Sequence, residues 1–250
     1  RTHSRDYSRS HVLRFSQACE QAFIILARQS APKWILEGDI KGCFDNINHE
    51  WLQKHIPMDK RIMKQFLKSG FIYQGNLFPT NTGSPQGGAI SSLYANMTLD
   101  GLEQLIQDKY HRNSKGTIEN HHRAKTKVNL VRYADDFILT ANTKELAEEL
   151  KDLVSQFLKI RGLTLSEEKT LITHIDDGFD FLGWTFRKFK GKLIVKPSKS
   201  SIKALIHKCA LIILKQGKAI SQVDLTRRLN SVIRGWTNYH RHVVKKPETI

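Results

Sequence analysis

Apolar residues fall in short runs that alternate with helical periods along this chain. Val128-Asn129-Leu130-Val131 and Phe137-Ile138-Leu139-Thr140 read as two strands, and Tyr133-Ala134-Asp135-Asp136 lies between them. That pattern predicts a β-hairpin with two acids in its tight turn. A third run, Trp34-Ile35-Leu36-Glu37-Gly38-Asp39-Ile40, predicts a strand with Asp39 near its C-terminal end. It continues through Lys41-Gly42-Cys43-Phe44-Asp45 to a helix starting near Asn48. Phe71 to Thr80 reads as a hairpin around Gly75-Asn76, and Phe181-Leu182-Gly183-Trp184 with Thr185-Phe186 as a short aromatic hairpin followed by a basic turn, Arg187 to Lys192.

Helical periods fill much of the remainder. Ala18, Cys19, Ala22, Phe23, Leu26 and Ala27 predict a helix from about Ser16 to Arg28. Further helices are expected over Arg61 to Ser69, stopped by Gly70, over Ala89 to Ile106, and over Asn142 to Lys159. His111 to Lys127 is polar and basic and reads as a surface loop, its histidines lacking the cysteines or acids of a metal site. A composition shift near Lys196-Pro197 marks a domain boundary. Beyond it, Ser200 to Lys215 is expected to bury Ile202, Leu205, Ile206, Cys209, Ile212 and Ile213. Ser221 to Val243 opens on the capping pair Ser221 and Asp224 and is expected to turn Leu225, Leu229, Val232, Ile233 and Trp236 inward.

Composition narrows the class. A hydrophobic content of 40% with 26% charged residues is that of a soluble globular protein. No apolar run approaches the roughly 20 residues that span a bilayer, and no secretory signal is visible. Cys19, Cys43 and Cys209 are scattered and odd in number, which points to a reducing compartment. The net charge is +16, and its placement is informative. Residues 181–250 hold 16 Lys or Arg against only Asp224 and Glu248, so the first 180 residues are close to neutral. A segment that nearly excludes acids suits a phosphate backbone.

The acids carry the chemistry. Adjacent carboxylates repel each other, and a divalent cation with oxygen ligands would remove that repulsion. An ordinary polar turn is the alternative for Asp135-Asp136, and a turn or helix-cap acid for Asp39. If the Asp39 strand lies beside the hairpin, three carboxylates meet at one spot. Two magnesium ions roughly 4 Å apart there would clamp the attacking and leaving oxygens of a phosphoryl transfer.

Taken together and in this order, Asp39 to Phe44, Gly83-Ser84-Pro85-Gln86-Gly87-Gly88, Tyr133 to Asp136, Lys169 and Phe181 to Trp184 resemble the sequence blocks of reverse transcriptases. Arg234-Gly235-Trp236-Thr237-Asn238-Tyr239-His240 resembles the maturase thumb signature, so the chain is most similar to the group II intron-encoded reverse transcriptase/maturase family. The resemblance implies an α+β right-hand polymerase fold: an antiparallel palm sheet with backing helices, partial fingers and a helical thumb. Residues 1–196 would form fingers and palm, and 197–250 the thumb.

It also implies RNA-directed DNA polymerisation with two Mg2+ ions. Asp39, Asp135 and Asp136 would be catalytic, and the Ile40 carbonyl would join them as a metal ligand. Phe44 would pack under the nucleotide sugar and exclude a 2′-hydroxyl. Gln86, Gly87 and Lys169 would lie at the nucleotide, Lys169 near the triphosphate. For Phe44 a core position is the alternative, for the glycine-rich block a capped turn, and for Lys169 an ordinary surface lysine. Leu182, Gly183, Arg187 and Lys188 would grip the primer, with Arg227, Arg228, Arg234 and Arg241 on template–primer duplex or intron RNA.

The implied partners are an RNA template, a DNA or RNA primer, deoxynucleoside triphosphates and group II intron RNA, with no membrane and a homodimer left open. The implied setting is the bacterial cytoplasm, with an organelle as the alternative. Further finger blocks are expected upstream of Arg1 and the rest of the maturase domain past Ile250, so the chain reads as a fragment. The alternatives are a maturase that only binds intron RNA and a reverse transcriptase of a related bacterial retroelement. An RNA-dependent RNA polymerase is disfavoured by Phe44 and the thumb signature.

Overall fold

Two strands, β1 (Trp34–Gly38) and, further on, the one running Asp136–Ala141, pair antiparallel, with Trp34 opposite Ala141 and Gly38 opposite Phe137. The molecule is described here from a computed structural model, in which residues 15–28, 30–73, 76–78, 82–84, 90–112, 126–217 and 219–241 are described. The elements before β1 and after it are α1 (Phe15–Leu26), α2 (Cys43–Asn46), α3 (His49–His55), α4 (Lys60–Lys68), β2 (Phe71–Tyr73), β3 (Asn76–Phe78), α5 (Ser91–Leu99) and α6 (Leu102–Tyr110). They are followed by β4 (Asn129–Tyr133), β5 (Asp136–Ala141), α7 (Lys144–Lys159), β6 (Leu171–His174), β7 (Phe179–Phe181), β8 (Trp184–Phe189), β9 (Lys192–Pro197), α8 (Lys199–Leu211) and α9 (Gln222–His240). Helices and antiparallel sheets thus combine in an α+β architecture. No helix among the described residues is long and apolar enough to cross a membrane.

Contacts divide the chain into two units. The first runs from Ala31 to Thr173. Its sheet has the order β4-β5-β1-β6, so β5 is a central strand. Phe137 to Ala141 are all buried, as a strand covered on both faces requires. Leu36, Ile47, Leu52, Tyr94, Leu99, Phe137, Leu139, Leu150 and Leu158 belong to one apolar core. Gly38 has a packing reason to lack a side chain: a Cβ built there would lie 2.1 Å from Cζ of Phe137, whose ring covers its cross-strand partner.

Local rules place the helices near where the sequence predicts them. Asn48 caps α3 through the Trp51 amide, and Asp59 caps α4 through the amides of Arg61 and Ile62. Gly70 follows α4 in the left-handed region at φ 69°. Thr143 caps α7, whose apolar face buries Ala147, Leu150, Val154, Phe157 and Leu158. The expected long helix over 89–106 is instead two helices. Asp100 is extended and Gly101 has φ 89°, so the helical ladder breaks between α5 and α6. His111, expected on a surface loop, is buried and bonds the Val128 carbonyl through Nε2 at 2.7 Å. His121 and His122 lie outside the described residues.

The second unit comprises Phe15–Ser30 and the residues from His174 onward. β7, β8 and β9 form an antiparallel meander. Its two hairpin turns, Leu182-Gly183 and Lys190-Gly191, have positive φ at both residues, as the tightest hairpins demand. The expected basic turn over 187–192 is therefore narrower. Arg187 and Lys188 are strand residues of β8.

The helices of this unit depart furthest from expectation. α8 has no buried residue, and Ile202 and Ile206 are exposed, Ile206 at 62%. Its last turn widens to a π-helical spacing over Ile212–Gln216, which leaves Leu214 71% exposed. On α9, Leu225, Leu229, Val232 and Trp236 are half-buried, but Ile233 is exposed. Ser221 caps α9 through the Asp224 amide, as its sequence predicts.

Gly38→Ala is expected to destabilise the protein by roughly 1–3 kcal/mol, the usual cost of overpacking a filled site. Urea unfolding checks it, and a midpoint equal to the parent's would mean that the Phe137 ring is not fixed over Gly38.

Candidate active site

The site is built on the end of β1 and the turn between β4 and β5. In the β4–β5 hairpin Tyr133 faces Asp136, which leaves Ala134 and Asp135 as a two-residue turn. Asp135 is thus in the turn, and Asp136 begins β5. The β1–β5 register pairs Gly38 with Phe137. Asp39 directly follows the last β1 residue and Asp136 directly precedes Phe137, so strand pairing brings the three sequence-predicted acids to one sheet end.

Beyond Gly38 the chain leaves β5 and pairs elsewhere. The Asp39 carbonyl accepts from the Ser166 amide at 2.8 Å, and the Lys41 amide donates to the Thr164 carbonyl at 3.0 Å. Ile40 sits between these bonds opposite Leu165. In such a pair the Ile40 carbonyl faces away from Leu165.

The electrostatics confirm proximity. The Asp136 carboxyl is raised above its ordinary range, first by burial and then by the charges of Asp135 and Asp39, with Lys169 acting in the opposite direction. Its outer edge is nonetheless solvent-exposed, so the effect is moderated by water. Lys169 Nζ lies 3.4 Å from Oδ2 of Asp39. Under the turn, the Cys43 thiol is pushed up to about 12, chiefly by burial and then by Asp135. It stays a neutral packing group and supplies no thiolate. Among the described residues, no group of three His, Cys, Asp or Glu side chains is placed to hold a metal ion. The donors that do approach one another are carboxylate oxygens burdened by mutual repulsion, with an ammonium as counter-charge. That chemistry fits a hard divalent cation.

Phe44 is half-buried on α2, packed against the core. Its carbonyl accepts from the Ser84 amide at 2.6 Å, and the Gly83 amide donates to the Ile47 carbonyl at 3.1 Å. A Cβ at Gly83 would meet the Phe44 carbonyl at 2.1 Å, so this close approach needs glycine. Gln86 and Gly87 lie outside the described residues.

In the second unit, two separated motifs lock together. Tyr239 donates its hydroxyl to the Leu182 carbonyl at 2.5 Å. Ser198 donates its amide to the Gly183 carbonyl at 2.9 Å. Trp236 Nε1 donates to Ser201 Oγ at 3.0 Å, and the buried His240 ring packs on Trp184 and Trp236. Lys188 donates to the Arg28 carbonyl at 2.8 Å, and Arg187 Nε to that of Asp176 at 2.7 Å. Arg227 pairs with Asp224 at 2.8 Å. Arg228, Arg234 and Arg241 are exposed on or just after α9.

Two residues near the acids escaped the sequence reading. His49 bonds the Gly83 carbonyl through Nε2 at 2.6 Å. Arg132, largely buried, donates to the Ala134 carbonyl at 3.1 Å and approaches Asp100 at 3.6 Å. A charged residue on a strand otherwise apolar at alternate positions was the available signal for Arg132.

Residues 5–186 match the family model described as reverse transcriptase (RNA-dependent DNA polymerase), and residues 202–248 match the group II intron maturase-specific domain. The Group II intron-encoded protein LtrA of Lactococcus lactis subsp. cremoris is 31% identical over 264 residues, covering 84% of this chain and 44% of LtrA. Protein YkfC of Escherichia coli K12 is 31% identical over 182 residues, covering 62% of this chain and 47% of YkfC. The chain spans less than half the length of these relatives. Among solved structures, apo telomerase from Candida tropicalis superposes with a TM-score of 0.52 at 15% identity, over 90% of this chain and 44% of that one. That likeness supports the right-hand polymerase fold alone.

Because folding raises the Asp136 carboxyl, its charge destabilises the folded state above the ordinary carboxylate value of 3.8 and not below it. Asp136→Asn is expected to raise the melting temperature at pH 7 by ~1–3 °C, with the gain fading as pH falls through the carboxylate range. A mutant less stable than the parent at pH 7 would contradict a repulsive acid cluster.

Proposed function

We propose that this chain, which belongs to the family of group II intron-encoded reverse transcriptases/maturases, is the polymerising part of an RNA-directed DNA polymerase that also binds its intron RNA. The observation that carries this proposal is the register that ends β1 at Gly38 opposite Phe137 and so brings Asp39 to the same sheet end as Asp136 and the Asp135 turn. Asp39, Asp135 and Asp136, with the Ile40 carbonyl, would hold the divalent cations, two magnesium ions in this proposal. When bound, such ions stabilise the charge that develops on the attacking and leaving oxygens.

The residues supply the rest. The primer 3′-hydroxyl oxygen forms a bond to the α-phosphorus of a deoxynucleoside triphosphate, and pyrophosphate leaves. No protein nucleophile is needed. Phe44 is held on α2 by its backbone bond to Ser84 and closes the space that a 2′-hydroxyl would need. Gln86 and Gly87 would face the nucleotide. Lys169, beside Asp39, is near enough to the acids to meet the triphosphate end of the substrate. Leu182 and Gly183 would offer close backbone approach to the primer, and Arg187 and Lys188 positive charge.

We assign residues 1–196 to fingers and palm and 197–250 to the thumb. On α9, Arg227, Arg228 and Arg234, with Arg241 just beyond it, would contact template–primer or intron RNA through phosphate and 2′-hydroxyl groups. The setting we favour is the bacterial cytoplasm, with an organelle as the alternative and with homodimerisation undecided by these residues.

Primer extension on an RNA template with magnesium tests this assignment. The parent is expected to extend with deoxynucleotides, and Asp135→Asn to lower the rate by at least ~100-fold. Phe44→Ala is expected to raise relative ribonucleotide use by about tenfold or more, since steric gates discriminate on that scale. Salt-dependent RNA binding without any extension by the parent would leave only a non-catalytic maturase. A parent that prefers ribonucleotides would point to an RNA polymerase instead.

A further inference from the structure

Arg132 is a buried cation that the proposed chemistry does not use. Its side chain on β4 is only 15% exposed, and removing a guanidinium from water is costly unless every donor is well placed. One Nη1 donates to the Ala134 carbonyl at 3.1 Å and to Asn96 Oδ1 at 3.3 Å, and Nη2 lies 3.6 Å from Asp100 Oδ1. Asn96 is itself fixed, donating from Nδ2 to the Ser92 carbonyl at 2.9 Å. Asp100 stands where the ladder breaks after α5.

The target of this fork is informative. Ala134 has φ 54°, a left-handed conformation that strains an L-residue with a Cβ. Its carbonyl belongs to the peptide plane that leads into Asp135. Fixing the direction of that carbonyl fixes the plane, and with it the positions of the Asp135 amide and Cα from which its side chain leaves the backbone. The charge of Arg132 is matched by Asp100, while its hydrogen bond to the Ala134 carbonyl acts on the backbone of the turn.

We infer that Arg132 is a positioning residue that clamps the strained Ala134-Asp135 turn to the end of α5, and so aims the carboxylates. The same helix seats the other side of the site. Ser84, whose amide bonds the Phe44 carbonyl, donates its hydroxyl to Ser91 in the first turn of α5. The sugar-facing Phe44 and the acid turn are therefore referenced to one rigid element. This inference rests on the polymerase proposal for its consequence in catalysis, but the clamp itself is a property of the metal-facing turn.

The experiment uses the full chain and Mn2+ as the probe, with free Mn2+ counted by electron paramagnetic resonance, alongside melting temperature and primer extension. Arg132→Met is expected to weaken Mn2+ binding about tenfold or more. Arg132→Lys keeps the charge but cannot span Ala134, Asn96 and Asp100 together, so it falls between. Asp100→Asn combined with Arg132→Met removes the acid that Arg132→Met alone would leave unpaired, and is expected to keep the fold and show the same weakened Mn2+ binding. Ala134→Gly relieves the left-handed strain and is expected to recover most of the Mn2+ affinity in the Arg132→Met background while changing the parent little. Parental Mn2+ affinity in both Arg132→Met proteins overturns the clamp. So does a loss that Ala134→Gly leaves unchanged. A parent that binds Mn2+ through Asp135 but never extends a primer defeats the polymerase proposal while the clamp is still judged by Mn2+ binding. A parent that binds no Mn2+ at these acids overturns both.

Discussion

The antiparallel register of β1 on β5 is the constraint on which the rest depends. Side chains on a strand alternate faces, so a slip of one residue would move Asp39 to the opposite face and dissolve the acid cluster. Register is held where slippage would be costly. β5 is buried from Phe137 to Ala141, and its first ring occupies the space left by Gly38. Apolar burial in the middle of the sheet thereby decides the positions of charged groups at its end. The core and the chemistry are one problem.

Costs collect at that end. Burial and two neighbouring carboxylates raise the energy of ionising Asp136, Ala134 is held left-handed, and a guanidinium is largely buried beneath the turn. Each feature is unfavourable alone, and each is sustained by the surrounding packing and hydrogen bonds. Violations of local preference gathered at one spot, on an otherwise consistent fold, are what a functional site looks like physically. Glycines serve the same end at Gly83, where backbone meets backbone beneath Phe44.

The second unit uses a different device. Leu182 and Gly183 form a turn with both φ values positive, and their carbonyls are taken by Tyr239 and Ser198. Aromatic rings from Trp184, Trp236 and His240 complete the lock. The turn is thus supported from α9, which also carries exposed arginines. α8 contributes little to a core among the described residues. Its helix is capped by Ser198 and tied to α9 through Ser201 and Trp236, with Ile202 and Ile206 facing outward.

Much of this was legible in the chain itself. Short apolar runs located β1, β4 and β5. Caps at Asn48, Ser221 and the glycine after α4 placed helix ends, and the ordered motifs named the acids and Phe44. These are local signals, set by steric preference and hydrogen bonding over a few residues. What the sequence left open was decided by contacts between distant segments. The helix expected over 89–106 breaks at Asp100 and Gly101, where Asp100 meets Arg132, a residue 32 positions away. The apolar positions of α8 satisfy a helical period whether or not anything covers them, so periodicity could not distinguish buried from exposed. Only strand pairing, which joins residues almost a hundred positions apart, could bring Asp39 to Asp136. Sequence determined which groups were available. Tertiary structure decided which of them meet, because burial and register are properties of the assembled sheet.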